Sequence, residues 1–164
     1  MNKKDERFIS IAREVSNLSD YRKIKIGAVI VLKREIISVG YNKHKSHPIM
    51  KVFNKKYRGF NTRESNIHAE MNALMKCKHI NIKGATIYIY RELKNGNLGN
   101  CFPCPACQRR IITAGIKKIV YTDYDGIYEM KIRRLKNGSL GNCFPCPACQ
   151  RRIITAGINS AIHE

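Results

Sequence analysis

The sequence is poor in acid. Twelve Asp and Glu stand against 31 Lys and Arg, which leaves a net charge of +19 at pH 7. An excess of that size predicts attraction to polyanions and steep salt dependence. Charge alone defines no site, however, and a well-solvated lysine-rich surface accounts for it equally well. Long apolar runs are also missing. The longest covers residues 27–32, far below the about 20 residues that cross a bilayer, so no membrane partner is expected. Where a secretory leader would have its apolar segment, the chain has Lys3, Lys4, Asp5, Glu6 and Arg7. It therefore reads as cytoplasmic, and its 164 residues suffice for one domain with a true core.

Without a secretory context, the seven cysteines read as metal ligands before disulfides. Six form two Cys-x-x-Cys-x-x-Cys clusters, Cys101, Cys104 and Cys107, then Cys143, Cys146 and Cys149. Cys77 stands alone on an expected helix and reads as a small buried apolar residue.

Periodicity supplies the elements. Apolar positions at Phe8, Ile9, Ile11, Ala12, Val15 and Leu18 predict an amphipathic helix over 5–18. Residues 24–32 and 35–41 form a β-hairpin about Lys33-Arg34. Residues 41–63 contain no acid, carry Lys and Arg throughout, and interleave Tyr41, Phe53, Tyr57 and Phe60. This stretch reads as a long loop suited to phosphates and base stacking, or as a solvated loop whose rings cover the core edge. A helix is expected over 66–76, capped by Ser65 or Asn66. Then come a strand over 85–90, a Gly/Asn-rich loop, a helix over 104–114 stopped by Gly115, and strands over 118–122 and 127–135. Strands alternating with helices predict an α/β sandwich.

Part of the chain occurs twice. Residues 93–116 and 135–158 match at 23 of 24 positions, with only Asn97 changed, to Ser139. A single near-identical copy is a local duplication, natural or artificial, and not a solenoid. The second copy has no His-x-Glu partner, so residues 136–164 read as an appended helix after a main unit over 1–135.

His68 and Glu70 begin one expected helix, and Cys104 and Cys107 begin another. A histidine and two thiolates supply three zinc ligands and leave a position open, while a nearby carboxylate can move protons. Helix N-termini favour the thiolate form, and Pro103 and Pro105 suit a helix entrance. Three other readings stand beside this one. The His-x-Glu triplet could be a chance match. The cysteine run is similar to an iron–sulfur ligand run, but lacks its fourth cysteine and following proline. The two Cys-x-x-Cys pairs could share a structural Cys₄ zinc in a nucleic-acid-binding module.

With His68-Ala69-Glu70, Pro103-Cys104-Pro105-Ala106-Cys107, Gly27-Ala28-Val29-Ile30-Val31, Ile37-Ser38-Val39-Gly40-Tyr41-Asn42 and Ala114-Gly115-Ile116-Lys117-Lys118-Ile119-Val120-Tyr121 on view, the chain resembles the cytidine/deoxycytidylate deaminase superfamily. The resemblance runs over residues 8–135. It implies a three-layer sandwich with a five-stranded mixed sheet flanked by helices. It implies one catalytic Zn²⁺ on His68, Cys104 and Cys107, a proton-shuttling Glu70, and substrate contacts at Asn42 and Ala69. The implied reaction converts a cytosine nucleoside or nucleotide to the uracil product and ammonia, in an enzyme that often self-associates. The basic charge motivates an alternative, a deaminase acting on cytosine or adenine within RNA or DNA, tRNA adenosine included.

Overall fold

The strand Gly27-Ala28-Val29-Ile30-Val31 is buried on both faces, and the sheet is built outward from it. The computed structural model describes residues 3–58 and 65–132 and the pair 152–153. The elements run α1 (Lys3–Ser16), β1 (Lys25–Leu32), β2 (Glu35–Tyr41), β3 (Lys43–Ser46), α2 (Pro48–Arg58), β4 (Asn66–Ile67), α3 (Ala69–Lys76), β5 (Thr86–Glu92), α4 (Pro105–Thr113), β6 (Lys118–Asp123), β7 (Gly126–Lys131) and β8 (Arg152–Ile153). The main sheet has the order β2-β1-β5-β6-β7-β8, and β3 pairs with β4 separately. β1 is antiparallel to β2 and β5, β5 is parallel to β6, and β7 is antiparallel to β6. β2, β1, β5, β6 and β7 are the mixed sheet expected from the sequence.

Alternation along β1 sorts the layers, because successive side chains point to opposite faces. Val29 and Val31 join Phe8, Ile9, Ala12 and Val15 of α1 on one face. Ala28 and Ile30 join Ala73 and Leu74 of α3 and Ile111 of α4 on the other. Cys77 is buried in that second cluster, as a small apolar residue should be. The α1 face is also pinned by charge. Tyr88 donates its hydroxyl to the buried Asp5 carboxylate at 2.6 Å, and Lys118 donates to the same group at 3.1 Å.

Close backbone approach sets where α3 lies. A Cβ on Gly40 would overlap the Ala69 carbonyl and the Ala73 amide, so only glycine lets β2 seat this helix. Gly40→Ala is expected to cost about 3 kcal/mol, the upper part of the range for overpacking, as read by urea denaturation.

Two expectations need correction. Residues 41–63 are not a long loop, since β3 and α2 occupy most of the described part. Met50 is fully buried, and Ile49 and Phe53 pack with it against Ile67, Met71 and Met75. Phe53 also lies against Tyr57, with ring centroids 5.5 Å apart. Phe53 and Tyr57 thus belong to a helix that packs one face, with lysines on the other, while Tyr41 ends β2 and Phe60 lies outside the described residues. The second correction is that α3 starts at Ala69, after the short β4, so neither Ser65 nor Asn66 caps it.

β8 adds to the sheet edge by pairing Arg152 with Glu129 and Ile153 with Tyr128. Its counterparts in the first copy, Arg110 and Ile111, are helical. The expected appended helix otherwise lies outside the described residues, as do Cys143, Cys146 and Cys149. Among the described residues, no helix is long and apolar enough to cross a membrane.

Candidate active site

The metal-ligand candidates stand at two helix N-termini. His68 is the N-cap of α3, with φ −78° and ψ 153°, and Cys104 is the N-cap of α4, with φ −65° and ψ 161°. N-cap residues are extended just before the helix begins. Here neither side chain makes a capping hydrogen bond to its own helix. Each is turned across the gap instead. Pro105 occupies the first turn of α4, where a missing N–H costs least, and one turn on, Cys107 is fully buried.

The three side chains converge. His68 Nδ1 lies 3.5 Å from Cys104 Sγ and 3.5 Å from Cys107 Sγ, and all three donor atoms fall within 4.8 Å of one another. Tetrahedral zinc with its usual Zn–N and Zn–S bonds holds a nitrogen and a sulfur about 3.6 Å apart. The donors and their spacing therefore fit one zinc ion, carried on the Nδ1 nitrogen of the histidine. Two helix N-termini point at this place, and their dipoles favour thiolates there. Cys104 is the more acidic thiol. A hydrogen bond from Cys107, then His68, holds it well below the ordinary thiol range. Cys107 is pushed up by its bond to Cys104 and by burial.

Glu70 follows in the first turn of α3 and is 5% exposed. Burial raises its carboxyl above the usual range, and His68 offsets part of that rise.

The remaining predicted residues are placed differently. Ala69 is fully buried at the first helical position, so any contact to a substrate would come from its backbone. The Asn42 amide is engaged by its own chain. It donates to the Ile24 carbonyl at 2.6 Å, and accepts from Ile26 N–H and Ser19 Oγ, each at 2.8 Å. Cys101 is not in the metal group. Its sulfur faces the Ile89 and Thr122 carbonyls, and burial pushes its thiol up to about 12.

Sequence reasoning missed Asn72. Its amide, 6% exposed, donates to the Tyr41 carbonyl at 2.8 Å and ties α3 to the end of β2. The available signal was a polar residue on the apolar face of Ala69-Glu70-Met71-Asn72-Ala73-Leu74.

Comparison with known proteins agrees with this geometry. A family profile described as "Cytidine and deoxycytidylate deaminase zinc-binding region" matches residues 2–123. The deoxycytidylate deaminase of Mycobacterium phage D29 is 33% identical over 130 residues, covering 71% of this chain and 92% of the phage protein. The dCMP deaminase of cyanophage S-TIM5 in its apo form is 26% identical, covers 74% of this chain and 83% of its own, and superposes with a TM-score of 0.54. The same enzyme in complex with dCMP and dUMP is 25% identical with the same TM-score, 0.54, over 74% and 82% of the two chains. The histidine and paired cysteines at two facing helix starts, the mixed sheet behind them and these matches agree: the chain belongs to the cytidine and deoxycytidylate deaminase family, as a zinc-dependent hydrolytic deaminase.

Proposed function

We propose that the chain deaminates dCMP to dUMP, with residues 1–135 as the catalytic unit and the second cysteine cluster outside the chemistry. The observation that carries the reading is a buried carboxyl two residues beyond a histidine whose Nδ1 is equidistant from two cysteine sulfurs. The phage relatives named above supply the substrate class. The nucleic-acid alternative draws no support from them.

His68, Cys104 and Cys107 would hold the zinc, and that ion supplies the Lewis acidity that makes water a nucleophile near neutral pH. Glu70 handles the protons. It takes one from the attacking water and delivers it to N3 of the cytosine ring as the new C4–O bond forms, then takes the second from the new C4 hydroxyl and gives it to the departing amine. The C4–N bond breaks, ammonia leaves, and the carbonyl of uracil remains. A buried carboxyl in the first turn of α3 can serve both halves of this cycle, accepting a proton in one and returning it in the other. We assign Ala69 a backbone contact to the substrate. We assign Asn42 a substrate contact at the end of β2, where most of its amide already orders the 19–26 segment.

The test is a panel of cytidine, deoxycytidine, CMP, dCMP and a cytosine-containing oligonucleotide, read by ammonia release from zinc-loaded protein. The expected outcome is turnover of dCMP ahead of the others. Turnover of the oligonucleotide alone, falling steeply with salt, would replace this reading with the polynucleotide one.

A further inference from the structure

The loop that delivers Cys104 is held by a buried polar pair that takes no part in the chemistry. Thr122 on β6 is fully buried. Its hydroxyl accepts from the Arg91 N–H at 3.1 Å, donates to the Gly99 carbonyl at 2.9 Å, and lies 3.2 Å from Cys101 Sγ. The Thr122 carbonyl accepts from the Cys101 N–H at 3.0 Å. Cys101 Sγ also faces the Ile89 carbonyl at 3.3 Å and the Thr122 carbonyl at 3.5 Å. Carbonyl oxygens only accept, so this site takes the neutral thiol as a donor and withholds its sulfur from the metal. From the far side, Gln108 of α4, 5% exposed, reaches back and donates to the Pro103 carbonyl at 2.5 Å. The segment is therefore fixed at Gly99, Cys101 and Pro103, and the next residue is Cys104.

We propose that Thr122 and Cys101 are a positioning pair that fixes the approach to Cys104, so that its sulfur is presented to the metal in one geometry. The proposal rests on the reading above in taking Cys104 as a metal ligand. A hydroxyl and a thiol at the meeting point of β5, β6 and the ligand loop satisfy backbone groups that would otherwise be buried alone. They thereby link the sheet to the metal centre. Partners of this kind orient the groups that touch the metal, and their loss typically weakens metal binding or activity 10–100-fold.

The test compares Thr122→Val, which keeps the shape and removes the hydroxyl, with Thr122→Ser, which keeps the hydroxyl. Zinc release to a colorimetric chelator and the visible spectrum of the cobalt(II)-substituted protein are measured below the melting temperature of each variant. The expected result is zinc release about 10–100-fold faster in Thr122→Val, with an altered thiolate-to-cobalt band, and recovery to within about threefold of the parent in Thr122→Ser. A purely structural role would lower the melting temperature and leave the cobalt spectrum of the folded protein unchanged. A folded Thr122→Val with parental zinc release and cobalt spectrum overturns the proposal. Should that variant not fold, Cys101→Ala is subject to the same two readouts, with faster release supporting the pair and parental release overturning it. A parent protein that holds zinc yet deaminates none of the panel overturns the activity proposed above, while zinc release still decides this inference.

Discussion

Glu70→Gln is expected to lower kcat for deamination by about 10³–10⁴-fold, the upper part of the range for a positioned acid–base group, while the protein keeps one zinc. The amide has the shape of the carboxyl and sits at the same buried place in the first turn of α3. It cannot take a proton from water or give one to the leaving amine. Because His68, Cys104 and Cys107 are untouched, and these are the residues that fit the metal, zinc content measured by atomic absorption stays at the parental value. Loss of activity together with loss of zinc would make Glu70 a structural support of the site and remove it from the proton-transfer role.

The second large effect concerns the metal itself. Cys107→Ala is expected to abolish both zinc retention and turnover, whereas Cys149→Ala, the same change in the second copy, leaves both at the parental level. Cys107 is fully buried within α4, and its sulfur is 3.5 Å from a histidine at the head of α3. A metal in this place would join the starts of α3 and α4, where His68 already meets Cys104 and Cys107. Binding to the folded state alone stabilises it by about 4 kcal/mol when free metal exceeds Kd a thousandfold. For a chain of this size that corresponds to a melting temperature about 8–16 °C higher. Chelation of the parent protein is therefore expected to lower Tm by that amount in differential scanning calorimetry. Cys107→Ala should melt at the chelated value with or without added zinc. A Cys149→Ala variant that loses zinc would show that the second copy supplies the ligand instead.

The site was more legible in the sequence than the scaffold around it. His68, Glu70, Cys104 and Cys107 carry reactive groups at a spacing that packing alone gives no reason for, so they stand out as side chains. The hairpin of β1 and β2 was legible for a different reason. Ala28, Val29, Ile30 and Val31 alternate between two filled faces, and Lys33 and Arg34 take the positive φ values of 50° and 75° that close a tight turn. α2 was hidden by its own lysines. Lys51, Lys55 and Lys56 look like a solvated loop until Met50 and Phe53 are seen turned to one side. The start of α3 was misplaced because the residue at the cap is the histidine, whose side chain is committed elsewhere, and Ser65 and Asn66 just ahead of it look like better caps. Thr122 could not have been found from the sequence. It is one threonine in a strand, and its partners are main-chain atoms of Arg91 and Gly99 and the sulfur of Cys101. Backbone partners leave no mark in composition or spacing.

The strand order bears on how the chain matures as it is synthesised. Cys104 and Cys107 lie close in sequence, and a short nascent peptide could chelate with them at once. His68 precedes them by 36 and 39 residues, and β5, which lies between, must pair with β1 on one side and with β6 on the other. The Cys101 N–H has its acceptor on Thr122, so the ligand loop lacks its anchor until β6 has left the ribosome. Long-range pairings of this kind, the parallel β5–β6 contact above all, are slow to form. A complete three-ligand site therefore requires residues from both sides of β5 and the anchor on β6, so a chain released before Thr122 lacks the support of its ligand loop.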